Sequence, residues 1–290
     1  MPALRALLAP LPPLLYEALV REALSEDLGL GGDLTSEATI APGTRALAEI
    51  VAREGGVVAG GALARAAFAA LDPGVRFETL VADGGRLNSG TRIAVVACEA
   101  RALLAAERTA LNLLGHLSGI ATATARYVAA VGDRPCRIAE TRKTLPGLRA
   151  LQKYAVRAGG GSNHRFRLDD AILIKDNHVA LAGGIGPALA AARERAGHLV
   201  SVEIEVDTLE QLELVLASPD PADCILLDNF SLRDVHEAVR RIAGRATIEA
   251  SGGVTLENVA DLAAAGVDII SVGALTHSVR SLDIALDIAP

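Results

Sequence analysis

Basic side chains gather between Glu140 and Val179, ETRKTLPGLRALQKYAVRAGGGSNHRFRLDDAILIKDNHV, and the chain's three lysines, Lys143, Lys153 and Lys175, all lie there. From Arg134 to Lys175, ten Lys and Arg stand against three acids, Glu140, Asp169 and Asp170, in a protein of net charge −7. A concentrated positive site in an acidic chain suits a small anion rather than a polyanion. Arg142 and Lys143 follow Thr141, and Arg165 follows Asn163 and His164. Arginine offers a planar fork that matches a carboxylate, whereas lysine is a mobile point charge suited to phosphate. Any one of them reads as ordinary surface charge, but four together repel one another unless an anion sits between them. Lys175 ends the apolar run AILIK, so its ammonium should be partly desolvated. That fits a Schiff-base lysine or a carboxylate binder. His164 and His178 are 14 positions apart, with no carboxylate spaced to complete a metal set. His164 reads as a hydrogen-bonded site histidine and His178 as a structural one.

Two carboxylates end apolar runs: Glu205 in VEIEV and Asp228 in ILLDNF. A carboxylate placed so is costly unless it meets a cation or hydroxyl groups. The pair could bind Mg²⁺ through water or accept from ribose hydroxyls. The competing reading, capping of the next helix, fits Asp207 better than Glu205. Ser251-Gly252-Gly253 and Gly273-Ala274 follow two further apolar runs. Small residues there let backbone N–H groups approach a phosphate.

These groups share a position: each closes a predicted strand. The pattern after the middle of the chain predicts strands over residues 136–141, 171–175, 201–206, 224–228, 247–251 and 268–272. Helices are predicted over 147–158, 187–196, 209–217, 232–242 and 256–265. Apolar β-branched strands alternating with helices argue for parallel βαβ units. Six strands are fewer than a closed barrel's eight, and no Gly-x-Gly-x-x-Gly follows the first one to favour a dinucleotide fold. In a barrel, the strand ends converge on one mouth. The earlier part reads differently. A helix is predicted over 13–25 and another over 62–71, with short strands over 46–53, 56–59, 76–81 and 92–100 and a turn-rich piece over 26–40. This suggests a separate α+β module. The longest helical pattern, residues 102–131, contains Gly115 and Gly119, which predict a join between helices. The expected division is therefore an N-terminal domain over 1–114, a barrel domain over 115–276, and a C-terminal stretch, 277–290, packing back on the first domain.

Composition limits the function. The balance of 28 basic against 35 acidic residues disfavours nucleic acid. Hydrophobic residues make up 51% and aromatic ones 2%, so the cores must be aliphatic. Three widely spaced cysteines, Cys98, Cys136 and Cys224, suggest reduced thiols in the cytoplasm and no disulfide framework. The apolar N-terminus is interrupted by Pro10, Pro12 and Pro13 and followed by acids, unlike a signal peptide. No apolar run is long enough to span a membrane.

The segments ERTALN (107–112), ETRKTLPGLR (140–149), AGGGSNHRFRLDDAILIKDNH (158–178), VEIEVD, LLDNF, EASGGV and ISVGALTH resemble the quinolinate phosphoribosyltransferase family across nearly the whole chain. The resemblance implies an N-terminal α/β sandwich, an incomplete α/β barrel, and a homodimer in which each site takes a residue from the neighbouring subunit. By motif, Thr141, Arg142, His164, Arg165 and Lys175 would bind quinolinate, with Arg108 reaching in from the partner. Lys143, Glu205 and Asp228 would hold phosphoribosyl pyrophosphate with Mg²⁺. Ser251, Gly252, Gly253, Val272, Gly273 and Ala274 would cradle its 5′-phosphate. Lys143, Lys175, Glu205 and Asp228 would carry the catalysis. Gly253 departs from the pattern, since relatives commonly carry Asn there. The implied reaction joins quinolinate to the phosphoribosyl group with loss of pyrophosphate and CO₂, giving nicotinate mononucleotide. Rival readings are a molybdenum-associated paralogue, a Schiff-base aldolase using Lys175, and an anion-binding protein without turnover. The intact Asn-His-Arg and Lys-Asp-Asn-His motifs argue against the first.

Overall fold

The computed structural model describes residues 8–288. Residues 1–7 and 289–290, the outer ends of the expected N-terminal domain and C-terminal stretch, lie outside the described residues. The chain forms two compact units. The first takes the described residues up to Ala125, together with Leu145–Gly160 and those from Ser278 on; the second takes Arg126–Thr144 and Gly161–His277.

In the first unit a four-stranded antiparallel sheet runs in the order Ile284–Ile288, Arg45–Ala52, Arg92–Glu99, Arg76–Thr79. Alternation decides which face of Arg92–Glu99 is covered: Ala94, Val96 and Cys98 are buried, and Val95, Ala97 and Glu99 are not. The helix Gly61–Leu71 buries Leu63, Ala64, Ala67 and Phe68 along one stripe, and the Phe68 ring lies 6.2 Å from that of Phe77. The strand predicted over 56–59 shortens to Gly56–Val57, paired with Arg86–Leu87. Side chains of a long helix take over its backbone bonding, since Val57 N donates to Thr122 Oγ1 (2.9 Å) and Ala59 N to Ser118 Oγ (3.0 Å). The turn-rich piece holds a short helix, Leu34–Thr39, capped by Asp33, whose carboxylate accepts from Ser36 N (3.0 Å).

The join predicted at Gly115 and Gly119 is absent, because one helix runs from Ala100 to Val131. These glycines make room for the returning C-terminal segment. A Cβ on Gly119 would lie 2.2 Å from Arg280 O and one on Gly115 3.0 Å from Leu282 O. Residues Leu145–Gly160, expected within the barrel domain, group with the first unit instead. They carry the helix Arg149–Ala158, in which Lys153 is buried. The basic segment is therefore not one face.

The second unit holds a six-stranded parallel sheet in the order Arg137–Ala139, Ile269–Ser271, Thr247–Ser251, Cys224–Asp228, Val202–Val206, Ile172–Ile174. The two outer strands are not paired with each other, so the α/β barrel is incomplete; Ser162 forms a single parallel bridge to Ala139 at one edge. Helices Ile185–Arg195, Leu209–Ala217, Leu232–Ile242 and Val259–Ala264 alternate with the strands. One strand shows how faces are assigned. Val202, Ile204 and Val206 are fully buried on one face, and Glu203 and Glu205 share the other. Thr208, rather than Asp207, caps the helix that follows, accepting from Gln211 N (3.2 Å). The sequence pattern also misses the helix Asp176–Ala182, whose N-cap is Lys175. His178 Nδ1 accepts from Lys175 N (2.9 Å), which is the structural role expected for that histidine.

Candidate active site

Strand ends of the second unit surround a cavity of about 360 Å³, lined by Thr141, Arg142, Lys143, His164, Arg165, Lys175, Glu205, Asp228 and Ser251. The cationic side carries an unmet demand. Nε of Arg142 and Nε of Arg165 are both buried without a hydrogen-bond partner. Burial, and then the charge of Arg142, lower the pKa of Arg165. Two half-buried guanidiniums that repel each other, each with a buried and unpaired Nε, describe a site for an anion. Arg165 is held in place by Nη1 donating to Ala171 O (3.0 Å). Lys175 Nζ donates to Glu205, and the lysine side chain is 44% exposed. The lysine is half-buried, in keeping with the partial desolvation predicted from AILIK, and its ammonium is already taken up by a carboxylate, which does not favour the Schiff-base reading.

An adjoining cavity of about 370 Å³ shares Thr141, Lys143, Asp228 and Ser251 with the first and adds Gly252, Gly253, Val272, Gly273 and Ala274. Gly252 has φ +83°, and a Cβ there would lie 2.1 Å from Asn229 Oδ1. Only glycine fits that turn. Gly253 has φ +60° with nothing within 4 Å of a Cβ, a conformation that asparagine also tolerates. Lys143 is fixed through its backbone, whose carbonyl accepts from Thr276 Oγ1 (2.8 Å) and whose N–H donates to Thr141 Oγ1 (3.0 Å). Burial, and then the charge of Asp207, raise the pKa of Asp228, while Lys175 and Lys143 oppose this. Glu205 and Asp228 on neighbouring strands form an all-oxygen donor set that suits a hard divalent cation. Arg108 lies on the helix Ala100–Val131, in the first unit; its side chain is 65% exposed and 3.8 Å from Glu107.

The sequence matches the model of the quinolinate phosphoribosyl transferase C-terminal domain over residues 120–287 and that of the N-terminal domain over residues 33–118. The chain belongs to the quinolinate phosphoribosyltransferase family. It is 51% identical to the nicotinate-nucleotide pyrophosphorylase (carboxylating) of Mycobacterium leprae, over 93% of this chain and 95% of that protein. A probable enzyme of the same name from Bacillus subtilis is 46% identical, over 93% and 92%. Among solved structures, NadC from Streptococcus pyogenes superposes with a TM-score of 0.91 at 40% identity, over 97% of this chain and 100% of that one. The nicotinate-nucleotide pyrophosphorylase from Francisella tularensis gives 0.92 at 37%, over 97% and 99%.

Within this quinolinate phosphoribosyltransferase fold, several residues that shape the site escape a reading by strand ends. Glu140 is buried, and its carboxylate accepts from Asn163 Nδ2 (2.9 Å) and His164 N (3.1 Å), anchoring the Asn-His-Arg loop. Asn229, at φ +56°, donates from Nδ2 to Asp228 (2.7 Å). His277 lines the glycine-rich cavity. His164 differs most from expectation. Its Nδ1 accepts from Arg165 N (2.7 Å), and its Nε2 lies 3.4 Å from Glu203 and 3.5 Å from Glu249. Sequence spacing offers His164 no carboxylate to complete a metal set, yet the fold brings Glu203 and Glu249 beside it, with ligand atoms within 4.8 Å of one another. Of the triple glycine, Gly159 admits the long helix closely, as a Cβ there would lie 2.4 Å from Ala121 O, and Gly160 turns the chain at φ +91°.

Proposed function

We propose that this chain transfers the phosphoribosyl group of phosphoribosyl pyrophosphate to quinolinate, with decarboxylation, giving nicotinate mononucleotide, pyrophosphate and CO₂ for NAD biosynthesis. The observation that carries it is the pair of buried, unpartnered guanidinium nitrogens of Arg142 and Arg165 at the cavity that also holds Lys143, Lys175, Glu205 and Asp228. A pyridine dicarboxylate answers that demand. Arg142, Arg165 and Lys175 hold its two carboxylates and turn the ring nitrogen toward the adjoining cavity. His164 orders the arginine loop through its bond to Arg165 N. Ser251, Gly252 and Gly253, with Val272, Gly273 and Ala274, present backbone donors to the 5′-phosphate. The anomeric carbon then faces the ring nitrogen, and the gain is one of orientation.

As the C–N bond forms, negative charge grows on the departing diphosphate, and Lys143 stabilises it from a position fixed by Thr276 and Thr141. Mg²⁺ held by Glu205 and Asp228 would supply further positive charge beside that leaving group. Ribosylation makes the ring nitrogen cationic, so the electron pair left by CO₂ at C2 is stabilised. Lys175 is paired with Glu205, so a substrate carboxylate must compete for it. We further propose a homodimer in which the exposed Arg108 completes the neighbouring site. No helix of the described residues is long and apolar enough to cross a membrane. The three free cysteines support a reducing compartment, the cytoplasm.

Release of labelled CO₂ from carboxyl-labelled quinolinate tests the reaction. It should require both phosphoribosyl pyrophosphate and Mg²⁺, with pyrophosphate formed one for one. Quinolinate binding without CO₂ release would leave only an anion-binding protein.

A further inference from the structure

The decarboxylation proposed above leaves an electron pair at C2 of the pyridine ring, and a proton must replace the lost carboxyl group. The mouth cavity and a second cavity of about 330 Å³ share three lining residues, His164, Arg165 and Glu249. The second cavity extends past Thr247 and Cys224 at the N-terminal ends of their strands to Asp223, whose side chain is 47% exposed. His164 and Glu249 therefore stand between the substrate side and a separate approach from the opposite end of the strands. Glu249 is 3% exposed, and its Oε1 is buried without a hydrogen-bond partner.

The histidine tautomer decides what this cluster does. Because Nδ1 of His164 accepts the Arg165 N–H, the ring proton belongs on Nε2, which faces Glu203 and Glu249. A metal ligand would need Nε2 bare and Nδ1 donating. The cluster is built to hold a proton, not an ion.

We propose that Glu249, oriented by His164, is the proton donor that replaces the departing carboxyl group, and that the second cavity resupplies it from water. The C2–carboxyl bond breaks, CO₂ leaves, and the electron pair at C2 takes the proton of the Glu249 carboxyl. The carboxylate then regains a proton from water in the second cavity, so mouth-bound substrates need not leave first. Burial, and then the charge of Glu203, push the Glu249 carboxyl up to about 7, against the opposing influence of His164. The groups facing it are Glu203, Cys224 and Ser271 from three other strands of the sheet, with His164 and Arg165 from the loop.

This inference rests on the proposed reaction, and its test separates the two. Wild type, Glu249→Gln and Glu249→Asp are assayed for CO₂ release from quinolinate with phosphoribosyl pyrophosphate and Mg²⁺, and for quinolinate binding by calorimetry. Glu249→Gln should lower kcat about 100-fold, with quinolinate affinity changed less than about threefold, and Glu249→Asp should recover about tenfold of that loss. Wild-type kcat should fall as pH rises through about 7, since the donor must be protonated, and the Gln variant should lack that limb. A Gln variant within about twofold of wild-type kcat overturns the proposal, as does a kcat loss matched by an equal loss of binding. Absence of CO₂ release from the wild type would instead defeat the reaction assigned to the chain.

Discussion

Two guanidiniums side by side in one cavity set a conflict between binding and stability at Arg142. Its charge acts against that of Arg165, and each carries a buried Nε without a partner. Removing Arg142 should therefore weaken substrate binding without weakening the fold. A hydrogen bond to a charged group contributes about 1.5–3 kcal/mol, so Arg142→Ala should raise the quinolinate KM about 10- to 150-fold. Its melting temperature should equal or exceed that of the wild type. Arg142→Lys keeps the charge but loses the fork, and should fall between the two. Steady-state kinetics and a thermal melt check this, and a lower melting temperature for Arg142→Ala would show the arginine to be structural. At this scale the strand-end residues were legible because each closes an apolar run. Glu203 and Glu249 were not, although a signal exists: each lies two positions before a cavity residue, Glu205 or Ser251, on the same strand face. Glu140 carries no such signal, since its partners Asn163 and His164 meet it only in the folded loop.

Elements show why the second unit was easier to read than the first. The barrel strands Cys224–Asp228 and Thr247–Ser251 and the helices Leu209–Ala217 and Leu232–Ile242 match their predicted bounds, because apolar runs and helical stripes alternate without interruption. Long-range partners explain the failures. Gly56–Val57 ends early because Ser118 and Thr122 take its backbone bonds, and the strand Ile284–Ile288 exists because Arg45–Ala52 offers an edge. Gly119 is the sharpest case, as helix propensity and packing pull in opposite directions there. Alanine in a helix interior is favoured over glycine by about 1 kcal/mol. A Cβ at this position would sit 2.2 Å from Arg280 O, backbone that cannot move aside as a side chain can. Overpacking costs about 1–3 kcal/mol and occasionally more. Gly119→Ala should therefore lower the melting temperature by several degrees, roughly 2–4 °C per kcal/mol at this chain length. An unchanged or higher melting temperature would show that the C-terminal segment yields at little cost.

For the whole molecule, Arg108 bears on whether one chain suffices for one site. Arg108 lies on the helix Ala100–Val131 with its side chain 65% exposed, and its ion pair with neighbouring Glu107, at 3.8 Å, is a weak tether. An exposed arginine so loosely held has little structural purpose, since surface ion pairs contribute about 0–1 kcal/mol. A role in the site of a second subunit gives it one, and two-fold symmetry makes the exchange reciprocal. Arg108→Ala and Lys175→Ala should each be inactive alone. In a mixed dimer, one site has the intact Lys175 of its own subunit and the intact Arg108 of its neighbour, while the other site lacks both. Random exchange makes half the dimers mixed, so about a quarter of wild-type activity should return. Gel filtration with light scattering before mixing establishes that dimers exist, and incubation in mild denaturant before refolding secures exchange. If mixed dimers form and activity stays at the level of the single variants, Arg108 acts in its own subunit or not at all.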